Sequence, residues 1–301
     1  MKTRVTLVVF SMLLALSTQA QKMEFEGEKA LEIRQKTTCN TLEEGKPVYG
    51  MWEGRIYSRV QGEKDRHLFN VVGINVRQCD CVEDPIRGKG FRSVGREIMM
   101  YLNPETNEIM DTWENPWTGE TVDVVHVAND PVNMRGYVYE KDKDGKVTAK
   151  TSFRQYGDVA VTSYEIPLFY NNPLSGDYQK YVGGTYHAME IFNTYYKAEE
   201  LTNSKIKNLS QSNISWQRMS QWLPWMEMGS RSGWIIANAT GESILDKDGI
   251  WDRLEVILND RYPIYFNPPE RNDKRPNETS WTVFKKFLAA KGDTMQGTKE
   301  E

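Results

Sequence analysis

The chain has 301 residues, of which 39% are hydrophobic and 27% charged, with a formal net charge of −4. That is ordinary globular composition, with enough chain for one large domain or two small ones. The acidic balance argues against the basic face that phosphate-backbone binding requires, so no nucleic-acid partner is expected.

The first twenty residues differ from the rest. Lys2 and Arg4 precede an apolar run, Val5–Leu16, and Ser17-Thr18-Gln19-Ala20 supplies small residues. This order reads as a secretory signal peptide over residues 1–20, cut after Ala20. The run is too short to span a bilayer. No Cys follows the cut, so no lipid anchor is expected. The mature protein is expected to be secreted or periplasmic, without a membrane span. Losing Lys2 and Arg4 leaves 36 basic and 42 acidic residues, a net charge of −6.

Residues 21–46 are polar and mixed, with a short helix predicted over Glu28–Gln35 at the mouth or outside of the main body. From Val48 the pattern turns to strands. Tyr49–Val60, Leu68–Gln78 and Phe91–Leu102 are separated by polar turns, and in the second of these Val72, Ile74 and Val76 share a face. Glu108–Trp113 extends, and Asn115-Pro116 with Thr118-Gly119 makes a corner. Thr121–Ala128 is rich in β-branched residues and reads as a strand, ended at Asn129-Asp130-Pro131. Met134–Glu140 and Val147–Tyr156 flank the charged turn Lys141–Lys146 as a hairpin. Val159–Tyr170, Tyr186–Tyr196, Ser215–Met228, Gly233–Ala239, Asp252–Leu258 and Tyr262–Phe266 continue the series. Trp281–Ala290 is predicted as an amphipathic helix behind N-capping residues at Asn277–Ser280.

There is no alternation of strands with helices. The expected fold is all-β: an up-and-down antiparallel meander closing into a calycin/lipocalin-like barrel of about ten strands. Short N- and C-terminal helices flank it. One domain is expected over 47–292, with a disordered tail over 293–301.

Three cysteines, Cys39, Cys79 and Cys81, remain for chemistry. In an exported chain Cys39 can pair with either of the other two and leave one thiol over. Cys79-Asp80-Cys81 lacks the spacing and second ligand pair of a zinc motif, so neither a metal nor a cofactor is expected.

Two stretches are candidates for a site. Asp111–Asp130 holds Trp113, Trp117, His126, Asn129 and Asp130. His126 falls with Val122, Val124 and Ala128 on the more apolar face of its strand. It is either a half-buried side chain bonded to a neighbour or an acid/base group, since imidazole titrates near neutrality. Trp216–Gly229 holds Trp216, Arg218, Trp222 and Trp225 among three Met. It is either plain core or one wall of an apolar cavity. Nine Trp and fifteen Tyr favour a large aromatic interior. Standard hydrolase, zincin and phosphate-loop motifs are missing. The acid/base candidates are therefore His126, His187, Asp130, Asp111, Glu114 and Glu190. Arg77, Arg96 and Arg218 lie among apolar residues, where they either pair with acids or hold an anionic ligand group.

The runs WENPWTGETVDVVHVANDPVN, REIMMYLNPETNEIMDTW and WQRMSQWLPWMEMG resemble the family called domain of unknown function 1838. The likeness covers most of residues 45–270. Its members resemble lipocalin-type barrels in overall pattern, and the resemblance brings no catalytic assignment.

The expectation is an exported barrel that binds a small lipophilic or aromatic molecule. Its cavity is lined by Trp113, Trp117, His126, His187, Trp216, Trp222 and Trp225, with Arg96, Asn129 and Arg218 as further ligand contacts. The alternative is a lyase, hydratase or isomerase in the same barrel, with His126 and Asp130 or His187 as its acid/base pair. The third reading is a structural module with a filled core. The oligomeric state is not legible.

Overall fold

Long strands with apolar residues on both faces dominate the chain. A computed structural model describes residues 20–176, 178 and 180–292. The expected leader, apart from Ala20, and the expected tail lie outside the described residues. Strands β2 (Val48–Arg59), β3 (His67–Asp84) and β4 (Gly88–Leu102) form one antiparallel meander. Strands β9 (Lys150–Tyr156), β10 (Val159–Asn171), β11 (Thr185–Lys197), β12 (Ser212–Ser220) and β13 (Trp234–Ile244) form a second. The two meanders join where β13 pairs with β2, from Trp234↔Arg59 to Ile244↔Tyr49. Strand β1 (Gln21–Glu26) adds to β9, while β7 (Val127–Asn129) and β8 (Val138–Tyr139) add to β4. The result is one 11-stranded antiparallel sheet, with β5 (Thr112–Glu114) and β6 (Thr121–Asp123) as a separate hairpin.

The sheet has two ends, β1 and β7, and among the described residues no strand pairing joins them. The expected closure into a barrel is therefore not formed by hydrogen bonds here. The cause lies in residues 103–149. Pro104, Pro116 and Pro131 lack an N–H for a ladder. That stretch makes short strands and turns instead of long ones.

The predicted strand over Thr121–Ala128 is broken into β6 and β7 around His126. Asp252–Leu258, expected as a strand, is instead helix α3 (Asp252–Arg261). Its buried residues, Leu254, Ile257 and Leu258, follow the helical period, and Val256 points out at 68% exposure. Tyr262–Phe266, also expected as a strand, is a tight 3-10 turn opened by Pro263. Helix α3 and this turn cover the convex face of β2–β4, packing on Val72, Ile74, Ile98 and Met100.

Helix α1 (Gly27–Cys39) is longer than the predicted segment, and it lies on the inner side of the sheet. Ile33 packs with Phe153, Ala160 and Tyr196, while Ala30 and Leu31 pack with Phe91 and Ala149. It thus touches both arms of the open sheet. Its Lys36 is fully buried, and the ammonium donates to the Glu200 and Asn203 carbonyls, both at 2.9 Å, and pairs with Glu32 at 3.4 Å. The Cys39–Cys79 disulfide ties the helix to β3, and Cys81 stays free. At the opposite end, helix α4 (Ser280–Ala290) inserts Phe284 and Leu288 into an aromatic cluster, with Thr279 as its N-cap. Among the described residues no helix is long and apolar enough to cross a membrane.

The disulfide links residues 40 apart. A cross-link of that span removes loop entropy worth about 4 kcal/mol from the unfolded chain. The double variant Cys39→Ala/Cys79→Ala is expected to lose about 2–4 kcal/mol by urea titration. Cys81→Ala is expected to stay within about 1 kcal/mol of the parent.

Candidate functional site: the concave face of the sheet

Side-chain alternation turns Phe69, Val71, Gly73, Asn75, Arg77 and Cys79 of β3 inward. The ladder sets Tyr101, Met99 and Glu97 of β4 opposite Val71, Gly73 and Asn75, and Asn129 of β7 opposite Glu97. On the other arm, Glu190 of β11 lies opposite Arg218 of β12, and Phe192 opposite Trp216. The sheet curls enough for the arms to sense each other. Glu97 feels the charge of Glu190, Arg77 interacts with Tyr196, and Tyr101 interacts with Arg218.

Helix α1 closes one end of this concavity. The other end is filled by Phe69, Tyr101, Trp113 and Trp225, whose ring centroids are 5.2–5.9 Å apart in contacting pairs. Between the two ends lies a belt that is polar, aromatic and only half-buried. The Glu97 carboxylate accepts from the Asn129 amide at 2.8 Å and from the Asn75 amide at 3.4 Å. Burial pushes its pKa above the ordinary carboxyl range, against the lowering effect of those amides. Arg218 donates to Glu190 and to the Tyr186 hydroxyl. Burial opposes its charge, but those partners outweigh it and hold the guanidinium firmly protonated. Arg77 differs. Its Nε is fully covered and unpartnered. Among the described residues no hydrogen bond or ion pair reaches its guanidinium, and burial lowers its pKa against the opposing charges of Tyr196 and Glu97. Asn75 Oδ1, Asn129 Oδ1 and Arg218 Nε are likewise covered without a partner. Buried polar atoms are normally satisfied; others without a hydrogen-bond partner lie outside the belt, among them Arg96 Nε and Trp225 Nε1, but four in one belt need a chemical reason.

Aromatic walls flank the belt. Trp52 lies on Gly73: a Cβ there would fall 2.4 Å from the indole, so only glycine fits beneath it. Phe192 and Trp216 are 6.4 Å apart and tilted by 32°. Tyr186 packs on Tyr170 at 5.4 Å and edge-on to Trp281 at 4.9 Å. The belt opens sideways along β10, because β9 pairs only with Val159–Val161 of that strand. Beyond that point the inward-facing Tyr164 and Ile166 are 59% and 40% exposed.

The sequence-predicted site residues separate into groups. Asn129, Trp216 and Arg218 lie in the belt. Trp113 and Trp225 are buried in the aromatic end, and Trp222 and Trp117 pack beside them with ring centroids 5.0 Å apart. The Trp222 indole N–H donates to the Arg231 carbonyl and that of Trp117 to Glu63. Arg96 and Asp130 pair on the convex face at 3.3 Å, and Arg275 also reaches Asp130 at 2.9 Å. His187 is on the convex face too, edge-on to Phe169 and Trp234. His126 occupies the break between β6 and β7. Its Nδ1 accepts the backbone N–H of Tyr101 at 3.2 Å, which puts the proton of the neutral ring on Nε2. The ring takes the place of a ladder carbonyl, and burial lowers its pKa to about 4. His126, Asp130 and His187 therefore do not converge, and the pair expected to perform acid/base chemistry is not assembled.

Sequence reasoning missed Glu97, Asn75 and Trp52, and it weighed Arg77 mainly as an ion-pair partner. A signal for Glu97 was present. In GREIMMYL both alternating faces are apolar, so both are buried, and a charge on either face is an interior charge.

The fold is that of a mostly antiparallel β protein with a polar and aromatic concave site. Residues 45–288 match the family described as Protein of unknown function (DUF1838), and the chain belongs to that family. No curated protein matches the chain.

Two pH effects follow. His126 has a folded pKa near 4, below its ordinary 6.5. Its contribution to stability is fully present above about pH 6.5 and is lost as pH falls towards 4, by up to roughly 3 kcal/mol. His126→Gln is expected to flatten urea stability over that window. Glu97 has a raised folded pKa, so its contribution declines as pH rises through that value. Glu97→Gln is expected to raise the urea midpoint at pH 8 and to match the parent at pH 4.

Proposed function

We propose that this is an exported binding protein that holds a small molecule with an apolar or aromatic body on the concave face of its sheet. The observation that carries this reading is the state of the belt. Trp52, Phe192 and Trp216 remain half-buried beside covered, unpartnered polar atoms. A core that only served stability would bury such rings and satisfy such atoms. Ligand sites combine apolar walls with a few convergent polar groups, as this belt does. Access runs past Tyr164 and Ile166. On this reading the sheet works as an incompletely closed barrel, sealed at its ends by α1 and by the aromatic cluster. The leader-like N-terminus and the Cys39–Cys79 disulfide support export, since structural disulfides persist in oxidising compartments.

One observation favours an enzyme in the same cleft. Glu97 is a carboxyl whose pKa burial raises, oriented by two amides, which is the form a carboxyl general acid or base takes. In that reading Glu97 replaces the histidines as the acid/base group of a lyase, hydratase or isomerase.

Native mass spectrometry of the mature protein from its own source is expected to show a retained small molecule. Titration with the neutral aromatic probe 2-naphthamide is expected to quench tryptophan fluorescence saturably. Trp216→Ala is expected to weaken that binding roughly tenfold, about 1.4 kcal/mol, with an unchanged urea midpoint. An absence of binding at millimolar probe, together with a bare protein in the mass spectrum, rejects the reading.

A further inference from the structure

We infer that the cleft contains an anion subsite built on Arg77, and that its ligand is a monocarboxylate whose carboxylate docks on that guanidinium. The inference rests on the cleft reading above and adds the chemical class of the ligand. The two inward-facing arginines are treated differently. Arg218 is matched by Glu190 and Tyr186 on its own arm. Arg77 faces the same concavity with no such match. The nearest carboxyl on its own arm, Glu97, spends both oxygens on the amides of Asn75 and Asn129 and forms no ion pair with Arg77.

A guanidinium carries five donors in a planar fork that fits a carboxylate bidentately. Leaving the Nε of such a group covered and unmatched is costly, and an arriving carboxylate removes that cost. Arg218 and Glu190 pair with each other, so Arg77 is left as the arginine of the belt that no ion pair matches. A dianion is disfavoured, because the Glu97 carboxyl acts on the same guanidinium and the covered Asn75 and Asn129 oxygens are acceptors. With its carboxylate on Arg77, a ligand of naphthalene size extends along the belt towards Trp52 and Trp216.

The test compares 2-naphthoate with the isosteric neutral 2-naphthamide by calorimetry on the mature full chain at pH 7. Naphthoate is expected to bind at least tenfold more tightly. Arg77→Gln is expected to reduce naphthoate to the affinity of naphthamide while changing naphthamide less than twofold. Arg77→Lys keeps the charge without the fork and is expected to fall between. Equal affinity of the two probes in the parent protein overturns the subsite without any variant, so a variant that fails to fold does not decide the matter. Equal weakening of both probes by Arg77→Gln also overturns it and marks Arg77 as structural. If naphthamide binds and naphthoate gains nothing, only the anion subsite is lost. If neither probe binds, the cleft reading itself has failed and the subsite falls with it.

Discussion

The pairing of β13 with β2 is the constraint on which the remaining structure depends. It joins a strand near the start of the main body to one nearly two hundred residues later, and it runs unbroken from Trp234 to Ile244. Two glycines permit the approach. A Cβ on Gly241 would fall 1.9 Å from the Met51 carbonyl oxygen, and one on Gly54 would fall 2.3 Å from that of Asn238. Glycines of this kind let a sheet bend sharply where backbones crowd. With the seam closed there, the gap in the sheet falls between β4 and β9 instead. Helix α1 and the short strands β7 and β8 occupy that region.

This placement of the gap decides what the concave face can do. A fully paired barrel of this size would present only its two ends. Here the edge of β10 that faces β9 is unpaired beyond Val161, so the middle of the face is reachable from the side. The two ends are spent on stability. One is tied by the Cys39–Cys79 disulfide and the buried Lys36, the other by packed aromatic rings. The middle is left with charges, amides and half-buried indoles. Natural proteins retain such unfavourable burial where function requires it. Covered atoms without a partner occur elsewhere too, at Trp225 Nε1 for example, but in the middle four of them stand beside half-buried rings, and that combination is the physical argument for a site.

The histidines show why composition misleads here. His126 is one of three in the chain and sits in the most unusual stretch, yet its ring repairs a break in a ladder. His187 alternates onto the convex side with Phe169, which is 73% exposed. Rarity drew attention to both, but neither faces the belt. Glu97 and Arg77, which do, carry common residue types and no motif.

The sequence by itself determined the long strands, because alternation and turn residues are local properties. It also determined the capped C-terminal helix, the family to which the chain belongs, and the presence of interior charge at Arg77 and Arg218. It did not separate helix from strand over Asp252–Leu258, where the buried Leu254, Ile257 and Leu258 follow the helical period in a run too short for that period to decide. It could not choose between Cys79 and Cys81 for Cys39, since both distances follow from where α1 docks. Only the tertiary structure decided which charged residues meet. Glu190 pairs with Arg218 because β11 and β12 are neighbours in register. Arg77 is left without an ion pair because curling of the sheet brings Tyr196 towards it, while Glu97, which also acts on it, is held by the amides of Asn75 and Asn129. Such partners are fixed by strand order and curvature, and both arise from contacts between residues far apart in the chain, which no local pattern encodes.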